Sequence, residues 1–181
     1  MALEKNTIIE WLGALPGRPI AWALLALTGI GLEAAALWYQ FGMELQPCVY
    51  CIYIRVAVIG IILAGLVGMV GALRWLGFAG WGFSAGYGLV LSWELFKIQN
   101  PDPDDMMGGC SYLPNFPDWL PLHQWLPSMF MPTGSCIDAP WHWLGLSMAQ
   151  WTGVAFVCYL VALVAVLGAW VLKRQARSGA I

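Results

Sequence analysis

Charged residues are scarce in this sequence. Lys and Arg number 8 and Asp and Glu 10, so 10% of the 181 residues are charged, while 60% are hydrophobic. Soluble domains contain about 25% charged and about 45–50% apolar residues. So few charges cannot cover a water-soluble surface, and the mean hydropathy of +0.71 also indicates a membrane protein. The net charge of -2 says nothing about nucleic acid, and no cluster of Lys and Arg argues for it, so no nucleic-acid partner is expected.

Four apolar segments are each long enough to cross a bilayer, which takes about 20 helical residues. They cover about residues 20–41, 49–73, 75–98 and 148–172, and one long loop, about residues 99–149, joins the last two. Glu33 interrupts the first segment, which then continues to Phe41, so we interpret it as a retained helix rather than a cleaved signal peptide. We predict an all-α membrane protein, a single domain over residues 1–181 built as a four-transmembrane-helix bundle.

The positions of Lys and Arg predict how the chain is oriented in the membrane. If four helices cross, six of the eight cationic residues fall on one side: Lys5, Arg18, Arg74, Lys173, Arg174 and Arg177. The long loop contains five Asp residues, and no Lys or Arg occurs from Ile98 through Trp170. Because cytoplasmic loops are rich in Lys and Arg, both termini are expected in the cytoplasm. The long loop is then outside, in the periplasm of a bacterium.

The long loop is rich in proline and tryptophan. Eight of the 11 prolines lie between residues 101 and 140, so little of the loop can be regular helix. Asp118 could cap a short helix that carries Trp119, Leu122, Trp125 and Leu126 at helical spacing. We expect this helix to lie flat at the bilayer interface, although the same residues could serve only to anchor a loop.

Five cysteines carry the chemistry that the sequence suggests. Cys48 and Cys51 form a C-x-x-C motif before the second helix, Cys110 and Cys136 lie in the long loop, and Cys158 lies within the fourth helix. The first four are expected on the outer side, where the environment is oxidising. Cys158 is expected to behave as a small hydrophobic residue.

A C-x-x-C motif at a helix N-terminus is typical of redox sites. Free N–H groups and the helix dipole stabilise a thiolate there, and the thiolate is the reactive form in disulfide exchange. Arg55 follows Cys51 by four residues and shares its helix face. An arginine within a membrane costs about 2.5–3.5 kcal/mol, so we interpret Arg55 as stabilising the Cys51 thiolate or a developing oxyanion. The alternative is that its side chain only extends to the interface.

Other readings of these polar residues remain open from the spacing alone. Cys110 and Cys136 could form a purely structural disulfide, or the four outer cysteines could bind zinc. His123 and His142 are interpreted as interfacial loop residues rather than ligands. Glu33 is expected to be hydrogen-bonded and structural, with pairing to Arg55 or proton handling as the alternatives.

These motifs resemble the DsbB family of disulfide bond formation proteins. The similarity runs from about residue 32 to 161, and the matching stretches are Leu37–Gln40, Gln46–Arg55, Phe116–Leu122 and Trp143–Trp151. The specific feature is the C-x-x-C-x-x-x-R spacing combined with two loop cysteines on a four-helix frame. The resemblance implies a protein-dithiol:quinone oxidoreductase of the bacterial inner membrane.

The resemblance also implies a route for the electrons. The disulfides would be Cys48–Cys51 and Cys110–Cys136, with no bound metal. A reduced periplasmic DsbA-like thiol oxidase, the family's partner, would form a mixed disulfide with Cys110. Cys136 would then attack the membrane pair at Cys48, and Cys51 would face the quinone, which is ubiquinone or menaquinone.

Two positions depart from the family pattern. Family members often have a basic residue shortly before the long loop, where this chain has Leu95-Phe96-Lys97, so Lys97 is a candidate quinone-binding residue or merely extends to the interface. The acidic residue that often precedes the family arginine is Ile54 here.

Two enzyme alternatives also stay open. One is a DsbB paralogue dedicated to one partner. The other resembles vitamin K epoxide reductase, in which the C-x-x-C motif lies near the end of the bundle.

Overall fold

Long helices dominate the computed structural model, which describes residues 10–100, 113–137 and 141–178. The four long helices are α1 (Pro19–Gly42), α2 (Val49–Met69), α3 (Arg74–Gln99) and α6 (Met148–Ser178). Two short helices, α4 (Leu122–Trp125) and α5 (Pro127–Phe130), lie in the long loop. Short 3-10 turns at Leu15–Gly17 and Gly71–Leu73 precede α1 and α3. The predicted helical fold is therefore confirmed for the described residues.

Three of the long helices are apolar enough to cross a membrane. Within the described ranges these are α1, α2 and α6, with mean hydropathies of 1.8, 2.3 and 2.6 over their most apolar windows. Helix α3 has 26 residues and is about 39 Å long at 1.5 Å per residue, which exceeds the bilayer core. Five glycines and three charged residues, however, make it less apolar than the other three. Its role as a fourth span therefore stays a prediction.

The long helices pack in chain order. Helix α1 lies against α2, α2 against α3, and α3 against α6. Small residues allow the backbones to approach closely, as is usual between membrane helices. A Cβ atom added at Gly77 of α3 would lie 2.8 Å from the Cα of Gly68 in α2.

Helices α1 and α6 meet much less closely than the neighbouring pairs. The hydrogen bond that bridges them runs from Tyr159 Oη to Thr28 Oγ1 over 3.0 Å. Part of the bundle is therefore left open on this side, near the end that carries the C-x-x-C motif.

A short β-hairpin leads the loop into α6. Strand β1 (His142–Trp143) pairs antiparallel with β2 (Leu146–Ser147), and His142 faces Ser147. The two residues between them, Leu144 and Gly145, have φ values of 52° and 81°. A positive φ at both central residues is the requirement of a tight hairpin turn. These strands are not among the elements predicted from the sequence.

The expected capping of a loop helix by Asp118 is wrong. Helix α4 begins only at Leu122 with Pro121 as its N-cap, and Asp118 and Trp119 lie in a turn before it. The reason is the proline: a residue that precedes proline is disfavoured in helical conformation, so Leu120 cannot continue a helix begun at Asp118. The short helix exists, but it is displaced toward the C-terminus and followed at once by α5.

Close packing of α2 against α3 leads to a stability prediction. We expect Gly77→Ala to lower the unfolding temperature in detergent, because its new methyl group meets backbone atoms of Gly68 and Ala64 that cannot move aside. Overpacking of this kind costs about 1–3 kcal/mol. The matched control is Gly86→Ala on the same helix, where an added Cβ meets nothing within 4 Å. Equal melting temperatures for the two variants would contradict this packing.

Candidate functional site

The two cysteines of the C-x-x-C motif meet at the start of α2. Cys48 is the N-cap residue, with φ −84° and ψ 172°, and its sulfur accepts a hydrogen bond from the backbone N–H of Cys51 over 3.4 Å. The two Sγ atoms lie 2.9 Å apart as free thiols. The predicted Cys48–Cys51 disulfide is not formed here, and it stays a prediction for the oxidised protein.

The two thiols are not equivalent. Both border a cavity, but Cys48 is 3% exposed, whereas Cys51 is partly exposed. The hydrogen bond that Cys48 shares with Cys51, followed by burial, raises the pKa of the Cys48 thiol. Cys48 therefore holds its proton more firmly than an unperturbed cysteine.

Arg55 is buried one helical turn after Cys51 and is held by three hydrogen bonds. Its Nη1 donates to Gln40 Oε1 over 2.6 Å and to the carbonyl of Met129 over 3.0 Å, and its Nη2 donates to the carbonyl of Ala36 over 3.3 Å. The side chain is only 5% exposed. It does not extend to the interface, and it links α1, α2 and the loop helix α5.

Glu33 is the acidic neighbour of Arg55. Its Oε1 lies 3.9 Å from Arg55 Nε, beyond hydrogen-bond distance. Both carboxyl oxygens are buried and have no hydrogen-bond partner among the described residues. The expectation that Glu33 is hydrogen-bonded is therefore wrong, whereas the alternative that it lies next to Arg55 agrees with the structure.

A cavity of about 500 Å³ opens beside these residues. Its walls come from all four long helices and from the loop, and its polar side chains include those of Glu33, Gln40, Cys51 and Arg55. Most of the remaining lining is apolar or aromatic, including Leu95, Trp141 and Phe156. A mostly apolar cavity of this size with a few convergent polar groups is typical of small-molecule sites. The flat, largely apolar head group of a quinone fits this description.

The end of the long loop is fastened to the C-x-x-C motif. The backbone N–H groups of Thr133 and Gly134 donate to the carbonyl of Pro47 over 3.0 and 3.1 Å. Cys136, two residues later, is fully buried and disulfide-bonded. Cys110 lies outside the described residues, so the Cys110–Cys136 pairing stays a prediction. A disulfide sulfur is not a thiolate, which weighs against the four-cysteine zinc site.

Lys97 and Cys158 lie away from the site. Lys97 Nζ forms an ion pair with Glu94 Oε1 over 2.8 Å, and both side chains are largely exposed. Lys97 does not border the cavity, so the structure offers no support for quinone binding by this residue. Cys158 is an exposed free thiol on α6.

Sequence reasoning assigned no role to Gln40. This residue accepts a hydrogen bond from Arg55, and its Nε2 donates to the carbonyl of Ser128 over 2.9 Å. The available signal was its spacing, since Gln40 follows Glu33 by seven residues and so occupies the same face of α1. The carbonyls of Ala36 and Met129 carry no signal in the sequence at all.

Known proteins resemble this chain over most of its length. The family model for "Disulfide bond formation protein DsbB" matches residues 18–166. Disulfide bond formation protein B of Shewanella loihica is 54% identical over 150 residues, which cover 80% of this chain and 86% of that protein. The protein of the same name from Shewanella frigidimarina is 54% identical over 144 residues, covering 77% and 83%.

The contacts of Arg55 predict that it holds α5 against the bundle. We expect Arg55→Lys to keep the charge but lose the fork in which Nη1 holds Gln40 and Met129 while Nη2 holds Ala36, so the shorter ammonium cannot hold all three oxygens and the bond to Met129 is weakened. Amide hydrogen exchange over residues 128–131 should then become about 5-fold faster, since a net hydrogen bond contributes about 1 kcal/mol. The control is Arg74→Lys at the other end of the bundle. Unchanged exchange in Arg55→Lys would contradict this role.

Proposed function

Because this chain belongs to the DsbB family of disulfide bond formation proteins, we propose that it is a disulfide-generating oxidoreductase of the bacterial inner membrane. It reoxidises a periplasmic DsbA-like thiol oxidase and passes the electrons to a membrane quinone. The observation that carries the proposal is the position of the Cys51 thiol, which borders an apolar cavity shared with the buried Arg55 guanidinium.

We further propose that α3 is the fourth transmembrane helix and that both termini are cytoplasmic. Cationic residues cluster at the end of the bundle remote from the C-x-x-C motif. There Arg74 Nη2 donates to the carbonyl of Gly17 over 3.4 Å, and Lys173 Nζ donates to that of Glu10 over 3.4 Å. With this basic end in the cytoplasm, the C-x-x-C motif and the long loop face the periplasm.

Thiol exchange moves the electrons through two cysteine pairs. The thiolate of the reduced partner attacks the loop disulfide at Cys110 and releases Cys136. Cys136 then attacks the membrane disulfide at Cys48, which releases the Cys51 sulfur. The partner's second thiol resolves its bond to Cys110, and Cys110 in turn displaces Cys48 from Cys136. Each exchange forms one S–S bond and breaks one, so the two electrons of the partner's dithiol arrive on the pair Cys48 and Cys51. The bonds from Thr133 and Gly134 to Pro47 keep Cys136 near its target.

The residues around the cavity suit the final transfer. A bound quinone, ubiquinone or menaquinone, supplies a two-electron acceptor at this point. Cys51 is the more exposed of the two cysteines that border the cavity, and Arg55 places a fixed positive charge near it. That charge stabilises the Cys51 thiolate and a negative charge that develops on a neighbouring oxygen. The apolar lining excludes water, which strengthens both interactions.

Purified protein with a reduced DsbA-like partner and a soluble ubiquinone analogue tests this function. We expect quinone absorbance to fall with wild type and not with Cys51→Ala or Cys110→Ser, since each change interrupts one of the two cysteine pairs. Cys158→Ser is the matched control and should keep the wild-type rate, because Cys158 lies outside the route. No quinone loss with wild type, together with outer cysteines that become alkylable only after chelation, would favour a metal site instead.

A further inference from the structure

Glu33 is a buried acid that the electron route does not use. Its side chain is 10% exposed and borders the same cavity as Cys51. Neither carboxyl oxygen accepts a hydrogen bond from any described residue. A buried ionised carboxylate without donors is costly, and more so within a membrane. Such a group is stable as the neutral acid, or as an anion for only part of a reaction cycle.

Arg55 interacts electrostatically with both Glu33 and Cys51, but its hydrogen bonds go to other residues. Both terminal nitrogens of its guanidinium donate to other oxygens, those of Gln40, Met129 and Ala36. Only Nε faces Glu33, at 3.9 Å. The same guanidinium is within electrostatic range of the Cys51 sulfur. One fixed positive charge therefore faces two acids, one on α1 and one on α2.

Charge balance then couples the two acids. If Glu33 and Cys51 were both ionised, the group of three would carry a net charge of −1 in a poorly solvated site, which is unfavourable. If both were protonated, the Arg55 charge would be buried without a counter-ion. Two arrangements give the three groups no net charge: ionised Glu33 with the Cys51 thiol, or protonated Glu33 with the Cys51 thiolate.

We propose that Glu33 takes the proton of the Cys51 thiol and returns it to the quinone oxygen during reduction, an inference that rests on the proposed function. In the first step Cys51–SH and Glu33–COO⁻ become Cys51–S⁻ and Glu33–COOH. In the second, the two sulfurs form the Cys48–Cys51 bond and give two electrons to the quinone. The two protons of the quinol come from the Cys48 thiol and from Glu33, which leaves Glu33 ionised and paired with Arg55 again.

Few other groups near Glu33 can titrate. Among the described residues that border the cavity, the titratable or charged side chains besides Glu33 are those of Tyr39, Cys48, Cys51 and Arg55. Cys48 keeps its proton until its sulfur reacts, as described above. Among the described residues that border this cavity, Glu33 is thus the group that can accept the Cys51 proton at neutral pH. The Arg55 cation then stabilises the Cys51 thiolate that remains.

The first test measures Cys51 alone, without quinone. In a background of Cys48→Ala and Cys158→Ser, with the loop disulfide oxidised, we follow alkylation of Cys51 against pH with and without Glu33→Gln. The glutamine no longer neutralises Arg55, so the thiolate gains the whole benefit of the positive charge. We expect alkylation below the thiol's pKa to be about 10-fold faster. A purely structural Glu33 would predict slower alkylation, because Arg55 would be misplaced.

The second test measures turnover in the protein with all its cysteines. Glu33→Gln should reduce the quinone analogue about 100-fold more slowly, the usual contribution of a general acid. Glu33→Asp should recover part of the rate, and Glu44→Gln, an exposed carboxyl near the C-x-x-C motif, should behave as wild type. Faster alkylation combined with slower turnover is the expected pair of results. A wild-type turnover rate in Glu33→Gln, or slower alkylation, would overturn the proposal.

Infrared difference spectra separate this inference from the proposed function. Reduction of the quinone-free protein should add a protonated-carboxyl C=O band that is missing in Glu33→Gln, whether or not the variant is less stable. If wild type never reduces a quinone, the proposed function fails, and this spectrum still decides whether Glu33 takes the proton. The absence of the band in wild type would overturn the proposal.

Discussion

The buried positive charge of Arg55 is the constraint on which the site depends. A guanidinium that is 5% exposed among membrane helices must find acceptors within the protein, because lipid offers none. It finds them in Gln40 and Ala36 of α1 and in Met129 of the loop. The hydrogen bonds that Arg55 donates therefore fix α1, the start of α2 and the loop relative to one another.

Cys48 and Cys51 lie in the same arrangement. Cys48 caps α2 and Cys51 lies one turn before Arg55, so the helix dipole and the guanidinium act on the same sulfur. The loop that brings Cys136 is attached to Arg55 through Met129, to Gln40 through Ser128 and to Pro47 through Thr133 and Gly134. These bonds keep the loop near the C-x-x-C motif.

Much of this organisation follows from local properties of the sequence. The long helices were predictable because apolar runs of about 20 residues have few alternatives in a membrane, and Pro47 with Cys48 marks the start of α2. The predicted fourth span, α3, is not among the helices apolar enough to cross a membrane, since the glycines that let it pack against α2 also lower its hydropathy. The predicted start of the loop helix was three residues too early because the effect of Pro121 on Leu120 outweighs the capping preference of Asp118.

The sequence by itself determined the membrane class, the helical segments and the place of the C-x-x-C motif at a helix start, because each depends on residues close together in the chain. Only the tertiary structure decided which groups meet Arg55. Two of its acceptors are backbone carbonyls, which every residue has, and Glu33 and Gln40 come from another helix. Whether Glu33 is hydrogen-bonded or faces a cavity depends on how α1, α2 and the loop pack, and no local pattern specifies that.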